Sequence, residues 1–100
     1  MAALTFLSRF QVKAGREDEF LALVDKLTAA VHADEPECTH YQFFKLREPE
    51  RGYAVFESFT SEAAEQAHLN TPHFAELGPP MVECLDGEYV REYLDPVRSD

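Results

Sequence analysis

The sequence predicts an α+β domain with its elements in the order β-α-β-β-α-β. Three observations carry that expectation. Four segments alternate with period two or are rich in β-formers, one long segment carries apolar residues at helical spacing, and two helix-start signals fall between the third and fourth strands. With 100 residues the chain makes one domain, expected over residues 1–96 with a polar tail at 97–100.

The first strand is read over residues 4–13, where Leu4, Phe6, Ser8, Phe10 and Val12 share one face and Thr5, Leu7, Arg9 and Gln11 the other. Ala14-Gly15 ends it. Glu17, Asp18 and Glu19 then crowd a helix first turn, where carboxylates meet the positive end of the dipole. Phe20, Leu23, Val24, Leu27 and Val31 make one apolar stripe along a helix expected over 16–32. Beyond Pro36, residues 39–48 and 53–60 read as two strands joined through Pro49-Glu50-Arg51-Gly52, a β-hairpin. Ser61 is a natural N-cap, and Thr71-Pro72 is a second start signal with proline at the first helical position. Gly78-Pro79-Pro80 is expected to interrupt that helix, and residues 88–94 form the last strand.

This order is two split βαβ units, the ferredoxin-like plan of an antiparallel four-stranded sheet with helices on one face. Leu7, Phe44, Leu46 and Phe56 fall on the alternate positions and leave a greasy second face, from which a homodimer joined sheet to sheet is expected.

Hydrophobic residues at 45% and charged residues at 28% are ordinary globular usage. Nine Lys+Arg against nineteen Asp+Glu give a net charge of -10. Such a surface repels phosphate backbones and anionic lipid, so neither a nucleic-acid nor a membrane partner is expected. No apolar run approaches the ~20 residues of a membrane span. Residues 1–12, interrupted by Ser8, Arg9 and Gln11, do not read as a signal peptide, and a cytoplasmic location is expected. Cys38 and Cys84 fit no metal-ligand spacing and read as reduced thiols; no metal is expected.

Three stretches carry a family resemblance. One is Phe10-Gln11-Val12-Lys13-Ala14-Gly15 with the acidic helix start and Phe20. Another is Glu35-Pro36-Glu37-Cys38-Thr39-His40-Tyr41-Gln42-Phe43-Phe44. The third is Glu57-Ser58-Phe59-Thr60-Ser61-Glu62-Ala63-Ala64, continued by Ala67-His68-Leu69-Asn70-Thr71-Pro72-His73-Phe74. Together, over residues 4–94, they resemble the antibiotic biosynthesis monooxygenase (ABM) family, small dimeric α+β barrels. The resemblance implies a cofactor-independent monooxygenase acting on quinols or phenolic aromatics with O₂. Other members degrade haem or isomerise small ketones, so the fold alone does not choose a reaction. The sequence departs from the family pattern at Phe59, where Trp is usual, and at Glu37, where Gly often precedes the Cys. The Asn-Trp-His set of haem-degrading relatives has no residue-by-residue match here.

Oxygenation without metal or flavin needs an electron-rich phenolate or enolate, because triplet O₂ reacts slowly with closed-shell molecules. The protein would supply a base, polar groups to hold the anion, and a dry aromatic cavity. His68 lies on the apolar stripe of its helix, and His73 follows Pro72; either is a candidate base, the structural alternatives being a satisfied core histidine and a capping or hinge residue. Glu57 shares an otherwise apolar strand face with Tyr53, Val55 and Phe59. It must be paired or protonated if buried: a salt bridge to Arg9 or Arg47, a pocket acid, or an orienter of His68. Tyr41, Phe43, Phe59, Phe74, Phe6 and Phe10 are candidate walls of a flat substrate pocket, with Glu57 or Tyr41 holding the substrate. Two other readings use the same pocket, isomerisation of a small carbonyl compound through an enolate and small-molecule binding without turnover.

Overall fold

Residues 3–98 are described by a computed structural model. Strand β1 (Leu4–Gln11) leads through Gly15 into helix α1 (Glu17–Asp34); β2 (Cys38–Lys45) and β3 (Gly52–Phe59) form the hairpin. Helices α2 (Glu62–Leu69) and α3 (Pro72–Glu83) precede the short β4 (Val90–Tyr93). The sheet order is β2-β3-β1-β4, and every neighbouring pair is antiparallel. This is the ferredoxin-like α+β plan. The tail expected at 97–100 lies partly outside the described residues.

The caps fall where the sequence puts them. Ser61 Oγ accepts from the Ala64 N–H at 3.1 Å, and Thr71 Oγ1 accepts from the Phe74 N–H at 3.2 Å. One expectation is corrected. Gly78-Pro79-Pro80 does not interrupt α3, which continues to Glu83. The two prolines withdraw N–H donors from the carbonyls of Ala75 and Glu76, and both of those residues are exposed, so water can satisfy what the helix cannot. Gly78 itself lies under Phe74, where an added Cβ would come within 3.3 Å of the ring. Bare backbone there lets the aromatic fold over the helix. The other boundaries move by a few residues: α1 runs past His32 to Asp34, β2 ends at Lys45 rather than residue 48, and β4 covers four residues rather than seven.

The face of the sheet carrying Phe6, Phe10, Tyr41, Phe43, Val55 and Phe59 packs beneath the helices. Phe20, from the apolar stripe of α1, is the centre of this layer at 1% exposure, with ring centroids 5.2 Å from Tyr53, 5.7 Å from Phe10 and 6.1 Å from Phe43. The opposite face carries Leu7, Phe56, Phe44 and Val90, the last two 45% and 59% exposed. Phe20→Ala should lower the unfolding free energy by about 3–5 kcal/mol in a urea titration with unchanged slope. A loss below about 1 kcal/mol would mean that another contact anchors α1 to the sheet.

Candidate active site

A cavity of about 160 Å³ opens between the inner sheet face and α3. Its walls include Phe10, Phe20, Tyr41, Phe43 and Phe74, together with the exposed Val82 and Tyr89. An engineered apolar cavity of about 150 Å³ accommodates benzene, so this one has room for a single aromatic ring, with further rings extending through the mouth.

Four polar side chains are placed in this cavity by neighbouring strands. Register sets Ser8 of β1 opposite Arg91 of β4, and Glu57 of β3 opposite Tyr41 of β2. All four residues line the cavity. The Ser8 hydroxyl and Arg91 Nε are buried without hydrogen-bond partners among the described residues, although buried donors are normally satisfied. Arg91 lies flat over the Phe6 ring at 4.1 Å, and its Nη1 is 4.0 Å from Glu65 Oε2.

Glu57 is 8% exposed. Neither of the two salt bridges the sequence suggests for it forms. Arg9 points to the opposite sheet face, where its Nε meets Glu92 at 3.1 Å, and Arg47 lies beyond the end of β2. Burial pushes the Glu57 carboxyl up to about 8, with the Arg91 guanidinium opposing and Glu65 and Glu35 adding to the rise. The same burial raises Tyr41 well above the ordinary phenol value, so it faces the cavity as a neutral hydroxyl.

His68 is held behind this wall, 3% exposed, with its ring against Tyr41 at 5.5 Å, Phe59 at 5.4 Å and Phe74 at 5.1 Å. Its Nδ1–H donates to Glu35 Oε1 at 2.8 Å, and its Nε2 faces Glu57 Oε1 at 3.9 Å. A carboxylate can only accept, so Glu35 fixes the proton on Nδ1 and leaves the Nε2 lone pair on the cavity side. His73 caps nothing; Thr71 does that work. Its Nε2–H donates to the second Glu35 oxygen at 2.5 Å. Phe6 and Phe59 stack on each other with centroids 6.3 Å apart and support Arg91 and His68 rather than lining the cavity.

Sequence reasoning passed over Glu35, Ser8 and Arg91. Ser8 did leave a trace, a hydroxyl in the otherwise apolar row Leu4, Phe6, Phe10 and Val12. Arg91 is on the same strand face as Tyr93, and no spacing in the sequence singles it out. Glu35 sits in the turn before Pro36, where no periodicity marks its direction. Burial pushes the Cys38 thiol up to about 12, with Glu35 and Glu57 adding, and it is a free thiol like Cys84. Among the described residues no group of three or more His, Cys, Asp or Glu could hold a metal ion, and no helix is long and apolar enough to cross a membrane.

The raised Glu57 value has a consequence for stability. A carboxyl that keeps its proton to about 8 in the folded chain, against 4.5 ordinarily, stabilises the fold fully below the unfolded value. That contribution is lost as pH rises through the folded value. The difference in unfolding free energy between the native chain and Glu57→Gln should therefore fall by roughly 3 kcal/mol from about pH 5 to about pH 8. A flat difference in urea titrations over that range would show that Glu57 ionises normally.

The family model described as antibiotic biosynthesis monooxygenase matches residues 4–77. Among solved structures, a Caulobacter crescentus protein described with the same family name is 31% identical, with a TM-score of 0.89 over 96% of this chain and 91% of that one. A conserved protein from Methanosarcina mazei is 26% identical, with a TM-score of 0.84 over 94% of this chain and 92% of its own. SnoaB, a cofactor-independent oxygenase from Streptomyces nogalater, is 18% identical and shares the fold at a TM-score of 0.78 over 99% and 97% of the two chains. No curated protein sequence matches. With the family model spanning most of the chain and a relative 31% identical over nearly its whole length, this protein belongs to the antibiotic biosynthesis monooxygenase family.

Proposed function

We propose that the protein is a homodimeric, cofactor-independent monooxygenase that oxidises a small phenolic or quinol-type aromatic with O₂. The observation that carries this reading is a carboxyl raised to about 8 in an aromatic cavity, with a guanidinium and a free hydroxyl beside it. Phenols ionise near 10. An ordinary carboxylate is too weak a base for them, whereas one tuned by burial approaches the match that general-base catalysis rewards.

In this reading the ring slides between Tyr41, Phe43 and Phe74. Glu57, ionised, takes the phenolic proton, and His68 behind it can receive that proton on Nε2. The resulting phenolate faces Arg91 and Ser8, whose unused donors stabilise its oxygen. Electron transfer from phenolate to O₂ and recombination at a ring carbon form a C–O bond to a peroxide. Loss of the ring C–H proton with cleavage of the O–O bond then gives a quinone and one water. One oxygen atom enters the substrate and the other leaves as water. His73 stands one carboxylate further out and acts through Glu35 rather than on the ring. Phe59 and Phe6 support the site from behind.

The second sheet face supports the dimer. Leu7, Phe44, Phe56 and Val90 lie on the sheet face that the chain's own helices do not cover. The net charge of -10 fits an aromatic ligand better than a polyanion, and among the described residues Arg91 is the one Lys or Arg lining the cavity.

Oxygen uptake by metal-stripped protein should exceed autoxidation across some of a panel of hydroquinones, naphthols and anthrone-like phenols. The excess should saturate and rise with pH through about 8, where Glu57 ionises. Glu57→Gln should reduce it by about 10²–10⁴-fold and remove the pH dependence. No enzyme-dependent excess with any compound overturns the reading. Phe44→Glu should convert the dimer to a monomer in sedimentation velocity; an unchanged sedimentation coefficient would locate the contact elsewhere.

A further inference from the structure

One carboxylate, Glu35, serves two histidines. It sits in the turn between α1 and β2 with its side chain 9% exposed, and it receives a hydrogen from Nδ1 of His68 at 2.8 Å and from Nε2 of His73 at 2.5 Å. Both histidines therefore have one ring nitrogen left over. That of His68 faces Glu57 at 3.9 Å, inside the protein; His73, 15% exposed against 3% for His68, has the route to water.

A single negative charge neutralises one imidazolium, not two held against the same carboxylate. Burial and the helix dipoles act on the two histidines in opposite senses: desolvation holds the charge on the more exposed His73 at rest, and the dipoles draw it to His68 once a proton is supplied there. His68 is in the last turn of α2, where the helix dipole favours a positive charge. His73 is the second residue of α3, directly after Pro72, where the dipole disfavours one. The other titratable groups around the cluster are Glu57 from β3, the Tyr41 hydroxyl and Cys38 thiol from β2, Glu65 from α2, and Asp34 and Glu37, which line a pocket with Glu35 and His68; among the described residues Glu35 alone is hydrogen-bonded to both rings.

We propose that Glu35, His68 and His73 act as one titrating unit that carries a single imidazolium charge, so that when His68 takes up a proton on its cavity side His73 releases one to solvent. The step is balanced. An N–H bond forms at His68 Nε2 and one breaks at His73 Nδ1, while both hydrogen bonds to Glu35 stay in place. No proton has to pass through the carboxylate, and the buried cluster gains no net charge. Returning the proton from His68 lets His73 recharge from water. Glu35 and His73 are thus positioning residues for proton uptake rather than groups that touch substrate. Their catalytic consequence rests on the function proposed above, but the coupling itself does not.

The test follows the two rings by ¹H–¹⁵N NMR as pH is varied, using the full chain without substrate. In the native protein each ring should titrate in two steps, each showing the inflection of the other. In His73→Gln, whose amide still donates to Glu35, His68 should titrate in one step displaced to higher pH, because the carboxylate then answers to it alone. Amide dispersion confirms that the variant is folded, and His73→Asn provides a second replacement if it is not. Independent single-step curves in the native protein, with His68 unmoved by either replacement, would overturn the proposal. So would a two-step His68 curve that survives in His73→Gln and disappears in Glu57→Gln, since the partner would then be Glu57. Absence of oxygen uptake would count against the proposed function and leave this result unaffected.

Discussion

Strand β3 runs between β1 and β2 and beneath α2, and every residue on its inner face is closed off from water. Glu57 is on that face. Its carboxyl is largely withdrawn from solvent, and the strand's register fixes its neighbours as Phe6 and Tyr41. A carboxyl placed so has two ways to persist: it keeps its proton, or it finds a positive charge. The structure uses some of each. Arg91 comes to it from β4, two strands away, without contact geometry tight enough to cancel the desolvation, and the group is left titrating near 8. The raised carboxyl in the cavity and the fold's pH dependence both follow from this burial.

The polar side chains around Glu57 form a gradient rather than a single pair. On the cavity side are Arg91 and Ser8, with donors unused. Behind it are His68 and then Glu35 and His73, each hydrogen-bonded to the next. The helices are as important as the strands here. The α2–α3 junction at Asn70 and Thr71 brings the end of one helix and the start of the next to the same carboxylate, so that opposite ends of two dipoles act on the two histidines. Thr71 makes the junction possible by accepting from the Phe74 N–H while its own hydroxyl donates to the His68 carbonyl at 2.9 Å. Phe74, turned back over Gly78, then closes the aromatic wall.

Most of the architecture was legible because it follows from periodicity and capping. The Leu4–Val12 row, the α1 stripe, the hairpin turn and the Ser61 and Thr71 caps each carry a local signal with a local cause. Residues 78–80 misled because the rule against helical proline counts lost hydrogen bonds without asking whether the freed carbonyls face water. The candidate site was legible in part. His68, His73 and Glu57 stood out as polar groups on apolar surfaces, and Tyr41, Phe43, Phe74 and Phe10 do face one cavity. What joins them was not legible. Glu35 is a turn residue, and Arg91 is on a four-residue strand; their directions depend on tertiary packing and strand order, which no spacing in the sequence encodes. Phe6 and Phe59 show the converse limit, since face alternation assigns a side of the sheet and not a position along it.

The chemistry proposed for this cavity depends above all on the ionisation of Glu57. Direct ¹³C NMR titration of the glutamate side-chain carboxyls, with the Glu57 resonance assigned by its absence in Glu57→Gln, measures it without substrate or turnover. A midpoint near about 8 is the predicted result, rising further in Arg91→Met as the opposing charge is removed. A midpoint in the ordinary carboxylate range, unmoved by that replacement, would contradict the burial argument and with it the assignment of Glu57 as the base.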